Sequence, residues 1–378
     1  MEHDYRHLST EFDMDAWLDA TDTLIPGSHS ANDVPRTRPF VHMTGPGGDV
    51  LLRQWPEGTT TDQIAAYNRV LAAMLGIPQI PSPVAGTTEV KDCLYSAQSW
   101  LPGRALGRFG GYRTPDDEAI YVPLPESAHA NNVIAQVAGI IAQAHLASES
   151  VDRADLPTMT MQQTMERVRK YWQTHRPILG DKAADERDIR RWLRCGNRMV
   201  PTASDLIRNE QAEMRDTSVI LHNDLWPENV LVEGLEDERM VTGIIGWRHM
   251  AVGSPVLDIA QMSIQMQGWS AALTEAVIES YSVQRHLRPD QRRLVPAVAG
   301  LLLVERVGQM LTLAYLDDRM INHEASPLLR SGMKTLLDSL ERITLILAPD
   351  IERTQRGFEQ KRGGNDRKPQ YDRTKKKR

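Results

Sequence analysis

The residues of this 378-residue chain that could do chemistry lie in one short polar loop between two apolar runs. Within the stretch VILHNDLWPENVLV, residues 219–232, the loop holds His222, Asp224 and Asn229. An aspartate at the end of a strand can accept the proton of an attacking hydroxyl, and a following asparagine can help to hold a metal ion that bridges nucleotide phosphates. The pattern predicts phosphoryl transfer, with Asp224 as the base, Asn229 as a metal ligand and His222 as structural support. The alternative is a polar turn whose side chains cap backbone groups.

Length and composition set the frame for this loop. A chain of 378 residues is too long for one core of ordinary size, so two lobes are expected. A net charge of -6, with 41% hydrophobic and 25% charged residues, is that of an ordinary globular protein and gives no general reason to expect nucleic-acid binding. Cys93 and Cys195 lie far apart, which favours a reducing cytoplasm over a disulfide framework. The charged N-terminus and the lack of a long apolar run predict no membrane segment.

The last segment has a different composition. From residue 352 onward, eleven basic residues stand against four acidic ones, a net charge of +7, with almost no apolar residues. Such a segment cannot bury enough surface to fold alone, so residues 350–378 are predicted to form a solvated, disordered basic tail. Binding of the tail to nucleic acid or an anionic surface is the alternative.

Apolar periodicity and turn residues divide the chain into a mixed part and a mainly helical part. Residues 39–55 predict a hairpin around a glycine-rich turn, residues 59–75 an amphipathic helix, and residues 93–106 a strand that runs into a Pro–Gly turn. That turn is the expected boundary between the lobes. Helical patterns dominate after it, apart from the β-rich segment 219–262 that contains the polar loop.

The stretch HNDLWPENVLV, followed by GIIGWRHMAVGSPVLDIA, resembles the catalytic loop and the metal-binding segment of the aminoglycoside phosphotransferase and choline kinase family. The resemblance implies a two-lobed, protein-kinase-like α/β (α+β) fold. Residues 1–101 would form a small mixed-sheet, nucleotide-binding lobe, and residues 102–349 a larger, mainly helical lobe. It also implies transfer of the gamma-phosphoryl group of ATP, with Mg²⁺, to a hydroxyl of a small molecule such as an aminoglycoside, a choline-like alcohol or a sugar.

The same resemblance implies roles for residues outside the loop. Arg53 in LLRQW would contact the nucleotide phosphates, although an arginine on the surface of an edge strand is the alternative. Backbone groups around Gln98, Ser99 and Trp100, in the hinge-like SAQSWLPGRAL, would meet the adenine. Asp258 in GSPVLD would tie the catalytic loop through backbone hydrogen bonds.

Departures from the family pattern affect the expected activity. Gly246 stands where the family has the aspartate that is its principal magnesium ligand, and Tyr67 stands where it has the glutamate that pairs with the basic strand residue. Ser254 replaces a commonly acidic residue, and Asn223 replaces a common glycine. A second hypothesis is therefore a catalytically impaired pseudoenzyme that binds a nucleotide, a small ligand or a protein partner.

Several residues could complete a partly lost site. Glu228 and His249 lie close in sequence to the expected metal position. Glu305, Asp317 and Asp318 could recognise a cationic acceptor; ordinary solvated helix residues are the alternative. Gly246→Asp is expected to tighten magnesium-dependent ATP binding, unless glycine is needed for a backbone conformation that aspartate tolerates poorly.

Overall fold

A computed structural model of the protein describes residues 14–30, 40–106, 128–211, 218–235, 238–265, 268–321 and 326–348. The predicted basic tail, residues 350–378, lies outside this range.

The N-terminal part is built around a five-stranded antiparallel sheet. Its strands run in the order β1-β2-β3-β5-β4. The elements are α1 (Met14–Leu24), β1 (His29–Ser30), β2 (Phe40–Gly45), β3 (Gly48–Gln54), α2 (Thr61–Ala73), β4 (Pro83–Val90) and β5 (Cys93–Ser99). The predicted glycine-rich hairpin is present, because Gly45 pairs with Gly48 where β2 turns into β3. Since β3 lies between β2 and β5, the edge-strand alternative for Arg53 is wrong.

Two helices cover this sheet and use different sequence signals. α1 packs through Trp17, whose ring meets that of Tyr95 edge-on at 5.2 Å, and joins a small core with Leu52. α2 begins with a capping box, in which the Thr60 side chain accepts from the Gln63 N–H and the Gln63 side chain accepts from the Thr60 N–H. The buried face of α2 belongs to the same hydrophobic core as the helices of the C-terminal part, so the two lobes share packed side chains.

The C-terminal part is mainly helical. Its helices are α3 (Ala128–Ala147), α4 (Met161–Gly180), α5 (Arg187–Gln211), α6 (Val256–Gln265), α7 (Ala271–Gln284), α8 (Pro289–Tyr315), α9 (Asp318–Ile321) and α10 (Ser326–Leu347). Between them lie short strands: β6 (Arg104–Ala105), β7 (Thr158–Met159), β8 (Val219–Leu221), β9 (Val230–Glu233), β10 (Met240–Ile244) and β11 (Ala251–Gly253). This is the small sheet lobe and larger helical lobe that the sequence predicts.

The short strands form two three-stranded sheets that frame the polar loop. One has the order β10-β9-β6 and the other β7-β11-β8. β8 leads into the loop and β9 leads out of it. β6 follows the Pro–Gly turn and pairs with β9, with Arg104 opposite Val232. The connection between the lobes is thereby hydrogen-bonded to the strand that leaves the polar loop.

One helix differs from the expectation that the chain has no apolar run long enough to span a membrane. In the described part of the chain, α8 is the one helix long and apolar enough to cross a membrane by length and composition. In this structure 78% of its most apolar window is buried. It is packed against α5, α6 and α10, as a core helix would be.

Candidate functional site

The polar loop is held from beneath by one buried carboxylate. Asp258 lies in the first turn of α6 and is fully buried. Its Oδ2 accepts the His222 N–H at 2.8 Å, and its Oδ1 accepts the Asn223 N–H at 2.9 Å. Asn223 adopts a left-handed conformation, with φ of 62°, so this contact fixes a strained turn of the backbone. The loop path is set before any ligand binds.

Two buried histidines complete this support. His145 lies between the Tyr281 hydroxyl, at 2.8 Å from Nδ1, and Asp258 Oδ2, at 3.2 Å from Nε2. His222 Nδ1 accepts the Asp224 N–H at 3.1 Å, which leaves its Nε2 to donate to the Ile245 carbonyl oxygen at 2.8 Å. These bonds require a neutral His222 ring. Burial lowers the pKa of His222 and also that of His145, although Asp258 opposes both shifts.

Because both histidine pKa values are lowered, stability should fall on acidification. The unfolded chain binds these protons near the ordinary histidine pKa of 6.5, whereas the folded protein binds them only at a lower pH. The stabilisation is therefore present above that pH and is lost below it. Denaturant unfolding between pH 7 and pH 5 should show a slope that His145→Gln reduces. His286→Gln, at an exposed position, is the control and should keep the slope. An equal slope in the two variants would contradict the assignment.

Asp224 presents a carboxylate whose position is set by two donors. Asn229 Nδ2 donates to Asp224 Oδ2 at 3.0 Å and to the Asp224 backbone oxygen at 2.7 Å. The Trp226 side chain also donates to this carboxylate. Burial raises the pKa of Asp224, and nearby charges and these hydrogen bonds oppose the shift. A raised pKa makes the carboxylate a stronger proton acceptor once it is ionised.

On the small lobe, Arg53 lies on β3 and is 9% exposed. Its guanidinium lies 5.5 Å from the centre of the Trp55 ring and 6.0 Å from that of Tyr67. Burial lowers the Arg53 pKa, while contact with Tyr67 opposes the shift. Nη1 is buried without a hydrogen-bond partner among the described residues. Tyr67 therefore neighbours Arg53 at the expected glutamate position, but supplies no carboxylate.

The hinge-like segment already uses several of its polar groups within the protein. Gln98 is buried, and its Oε1 accepts from the Tyr67 hydroxyl at 2.9 Å. The Ser99 N–H donates to the Ser82 oxygen at 2.8 Å, and the Trp100 N–H donates to the Asp49 oxygen at 3.1 Å. Trp100 also stacks on His42 at 3.9 Å. These two N–H groups are thus bonded inside the small lobe, and the Gln98 side chain supports Tyr67.

Gly246 has a conformation and a neighbour that both disfavour a side chain. Its φ of 87° and ψ of 16° are left-handed, and it precedes a short 3₁₀ turn, Trp247–His249. A Cβ placed here would lie 2.7 Å from both Cγ and Oδ1 of Asn229. The amide of Asn229 thus occupies the space into which a residue 246 carboxylate would extend.

This geometry adds a structural cost to Gly246→Asp. Gly246→Ala and Gly246→Asp should each lower the free energy of unfolding by about 1–2 kcal/mol, because a Cβ is strained in the left-handed region. Gly47→Ala is the matched control, since a Cβ at Gly47 meets nothing within 4 Å. Denaturant unfolding of the three variants measures the difference, and wild-type stability in both Gly246 variants would contradict it. Any magnesium-dependent gain in ATP binding requires Asn229 to move first.

The residues near Gly246 differ from the magnesium site of the family pattern, because position 246 carries no carboxylate. Magnesium prefers six oxygen ligands in octahedral geometry, with carboxylates among those that the protein supplies. No group of three or more His, Cys, Asp or Glu in the described ranges could hold a metal ion. Asn229 is turned toward Asp224, and Gly246 supplies no oxygen from a side chain.

Arg248 and Glu228 are two charged residues beside the catalytic loop whose contacts the sequence does not reveal. Arg248 is exposed, and its Nε donates to His249 Nε2 at 2.8 Å. His249 Nε2 also lies 3.7 Å from Asp224 Oδ2. It cannot donate to this carboxylate while it accepts from Arg248. Glu228 Oε2 is buried without a hydrogen-bond partner among the described residues, and burial raises the pKa of Glu228 to about 7. The only sequence signal for Arg248 was its position two residues after Gly246.

The helix α8 lies beside the catalytic loop. The Arg306 guanidinium lies 4.6 Å from the centre of the Trp226 ring. Glu305, one of the residues considered for acceptor recognition, pairs with Arg167 at 2.9 Å, and burial raises its pKa. Asp318 begins α9, immediately after Asp317.

Comparison with known proteins gives a family and a fold. Residues 37–295 match the family model described as the phosphotransferase enzyme family, and no curated protein matches the sequence. Spectinomycin phosphotransferase APH(9)-Ia, solved with ADP and spectinomycin, is similar with 13% identity and a TM-score of 0.52, covering 87% of this chain and 98% of that one. A mutant of aminoglycoside 2'-phosphotransferase-IIIa with GDP has 15% identity, a TM-score of 0.51 and coverages of 85% and 98%.

A third similar structure is a protein of Ralstonia eutropha assigned by name to the aminoglycoside phosphotransferases. It has 15% identity and a TM-score of 0.51, and the match covers 88% of this chain and 99% of that one. At such identities the structures show a shared fold, whereas the family model covers more than half of the chain. The chain therefore belongs to the phosphotransferase enzyme family that includes the aminoglycoside phosphotransferases, and it has the two-lobed, protein-kinase-like fold of that family.

Proposed function

We propose that the protein transfers the gamma-phosphoryl group of a nucleoside triphosphate, ATP in the first instance, to a hydroxyl group of a small molecule. The observation that carries this proposal is the geometry of Asp224. A half-buried carboxylate is positioned by Asn229 and Trp226, in a loop whose backbone is fixed by Asp258. In a polar turn whose side chains only cap backbone groups, Asp224 would accept backbone N–H groups, whereas here its carboxylate accepts from the side chains of Asn229 and Trp226.

In the proposed reaction, the acceptor oxygen bonds to the gamma-phosphorus while the bond from that phosphorus to the bridging oxygen breaks. The nucleoside diphosphate leaves, and the acceptor proton passes to Asp224. Because burial raises the Asp224 pKa, the rate should rise with pH as this carboxyl loses its proton. Arg53, on β3 of the small lobe, would bind the phosphates through its unpartnered Nη1.

Two nucleoside triphosphates and several classes of acceptor should be tested as substrates. The similar structures contain ADP in one case and GDP in another, so both ATP and GTP should be tested. The acceptor should be a small polar molecule with a hydroxyl group. Spectinomycin and aminoglycosides enter as candidates because those names occur among the similar proteins, and choline-like alcohols and sugars extend the range.

A second candidate function is nucleotide or ligand binding with little or no turnover. It is favoured by the missing carboxylate at Gly246 and by Tyr67 beside Arg53. Loss of one preorganised electrostatic group commonly costs about 3 kcal/mol in the transition state, a factor of roughly a hundred or more in rate.

The test is transfer of label from gamma-³²P ATP and GTP to a panel of aminoglycosides, spectinomycin, choline and simple sugars, with nucleotide binding measured on the same preparation. Labelled acceptor supports the phosphotransferase. Nucleotide binding without transfer to any acceptor or to water supports the binding protein. If the protein neither binds a nucleotide nor transfers the label, both functions are contradicted.

A further inference from the structure

The segment after β10 carries an arginine two residues after the position where the family pattern has a metal ligand. Gly246 lacks a side chain, its left-handed backbone leads into the turn Trp247–His249, and Arg248 is the exposed residue of that turn. A hydrogen bond to His249 Nε2 at 2.8 Å holds the Arg248 Nε in place. Because His249 Nε2 is itself 3.7 Å from Asp224 Oδ2, Arg248 lies beside the catalytic loop.

The charge of Arg248 acts on groups of both lobes. Burial raises the Asp224 pKa and lowers that of Arg53, and in both cases the charge of Arg248 contributes: it opposes the shift of Asp224 and adds to that of Arg53. Arg248 therefore lies within electrostatic reach of the carboxylate on one lobe and the guanidinium on the other.

Arg53 supplies the second cation, and its surroundings require an anion. The side chain is nine-tenths buried, Nη1 has no hydrogen-bond partner, and no carboxylate pairs with it among the described residues. A buried charge without a charged partner is costly, so a buried guanidinium beside Trp55 and Tyr67 is expected to meet a negatively charged ligand. Two guanidinium groups within electrostatic reach of each other suit a polyphosphate, since a guanidinium can donate two parallel hydrogen bonds to phosphate oxygens.

We propose that Arg248, together with Arg53, offsets the charge of the nucleotide phosphates in place of a divalent cation, so that nucleotide binding does not depend on magnesium. This inference rests on the proposed function, because it assumes that the cleft takes a nucleoside di- or triphosphate. Asn229 remains bonded to Asp224 in the bound state, since it is not needed as a metal ligand.

The experiment is isothermal titration of the full chain with ATP and with ADP, each in excess magnesium and in excess chelator. Wild-type affinity should be similar in the two conditions. Arg248→Ala should weaken binding by at least about tenfold, the size expected for losing a charge-assisted hydrogen bond to phosphate. Arg248→Lys should recover part of the loss, because it keeps the charge but not the planar donor pair.

The control is Arg208→Ala, at an exposed arginine of α5 that pairs with Asp205 on the same helix. It should bind like wild type, and thermal melts should show that all variants are folded. Binding that requires magnesium, or an Arg248→Ala affinity equal to wild type, would overturn the inference and leave the proposed function standing. If the wild type binds neither nucleotide in either condition, the proposed function and the inference fail together.

Discussion

Asp224→Asn is expected to lower the rate of phosphoryl transfer by a factor of about 10²–10⁴, the usual contribution of a positioned general base. Asparagine keeps the shape of the side chain and can still accept from Asn229, so the loop should hold its path. It cannot take up the proton of the acceptor hydroxyl. The measurement is the initial rate of labelled phosphoryl transfer to the best acceptor, with nucleotide affinity and melting temperature measured alongside.

Asp155→Asn is the matched control, because Asp155 is a surface residue that pairs with Arg69 at 3.0 Å. It should transfer at the wild-type rate. Loss of rate with unchanged affinity and stability identifies Asp224 as the proton acceptor. Equal turnover in wild type and Asp224→Asn would sink the assignment.

Asp258→Ala is expected to have the largest effect on stability, about 3 kcal/mol or more. The carboxylate accepts the N–H groups of His222 and Asn223 and contacts His145. Asp258 and the two histidines are fully buried, so its removal leaves buried groups without partners, and such losses cost several kcal/mol. Asp258→Asn should cost less, since one oxygen acceptor remains.

The measurement is denaturant unfolding, and the control is Asp62→Ala. Asp62 lies in the first turn of α2, as Asp258 does in α6, but it is exposed. Its loss should remove only a small interaction with the helix dipole, a few tenths of a kcal/mol. If Asp258→Ala were as stable as Asp62→Ala, the tether between α6 and the catalytic loop would not exist in solution.

The sequence by itself determined the architecture and the chemistry-bearing loop. Alternating and helical apolar periods depend on local spacing, so the β2–β3 hairpin, α2 and the strand Cys93–Ser99 could be predicted from their own residues. The loop with Asp224 and Asn229 was visible because it interrupts two apolar runs, and because its order matches the family pattern. Membership of the family follows from the same stretch and from its neighbours in the chain.

Only the tertiary structure decided what surrounds those residues, because contacts between distant segments leave no local pattern. Arg53 could have been an exposed arginine at an edge, until the strand order placed β3 inside the sheet. Gln98 supports Tyr67 across 31 positions of sequence, and Asp258 meets the catalytic loop from 36 residues away. The glycine at position 246 reads in sequence as a missing ligand. In the fold, its left-handed backbone and the amide of Asn229 disfavour a side chain there. Arg248 is the exposed charged residue of the turn that follows, because packing and backbone conformation, rather than residue type alone, determine which groups lie together.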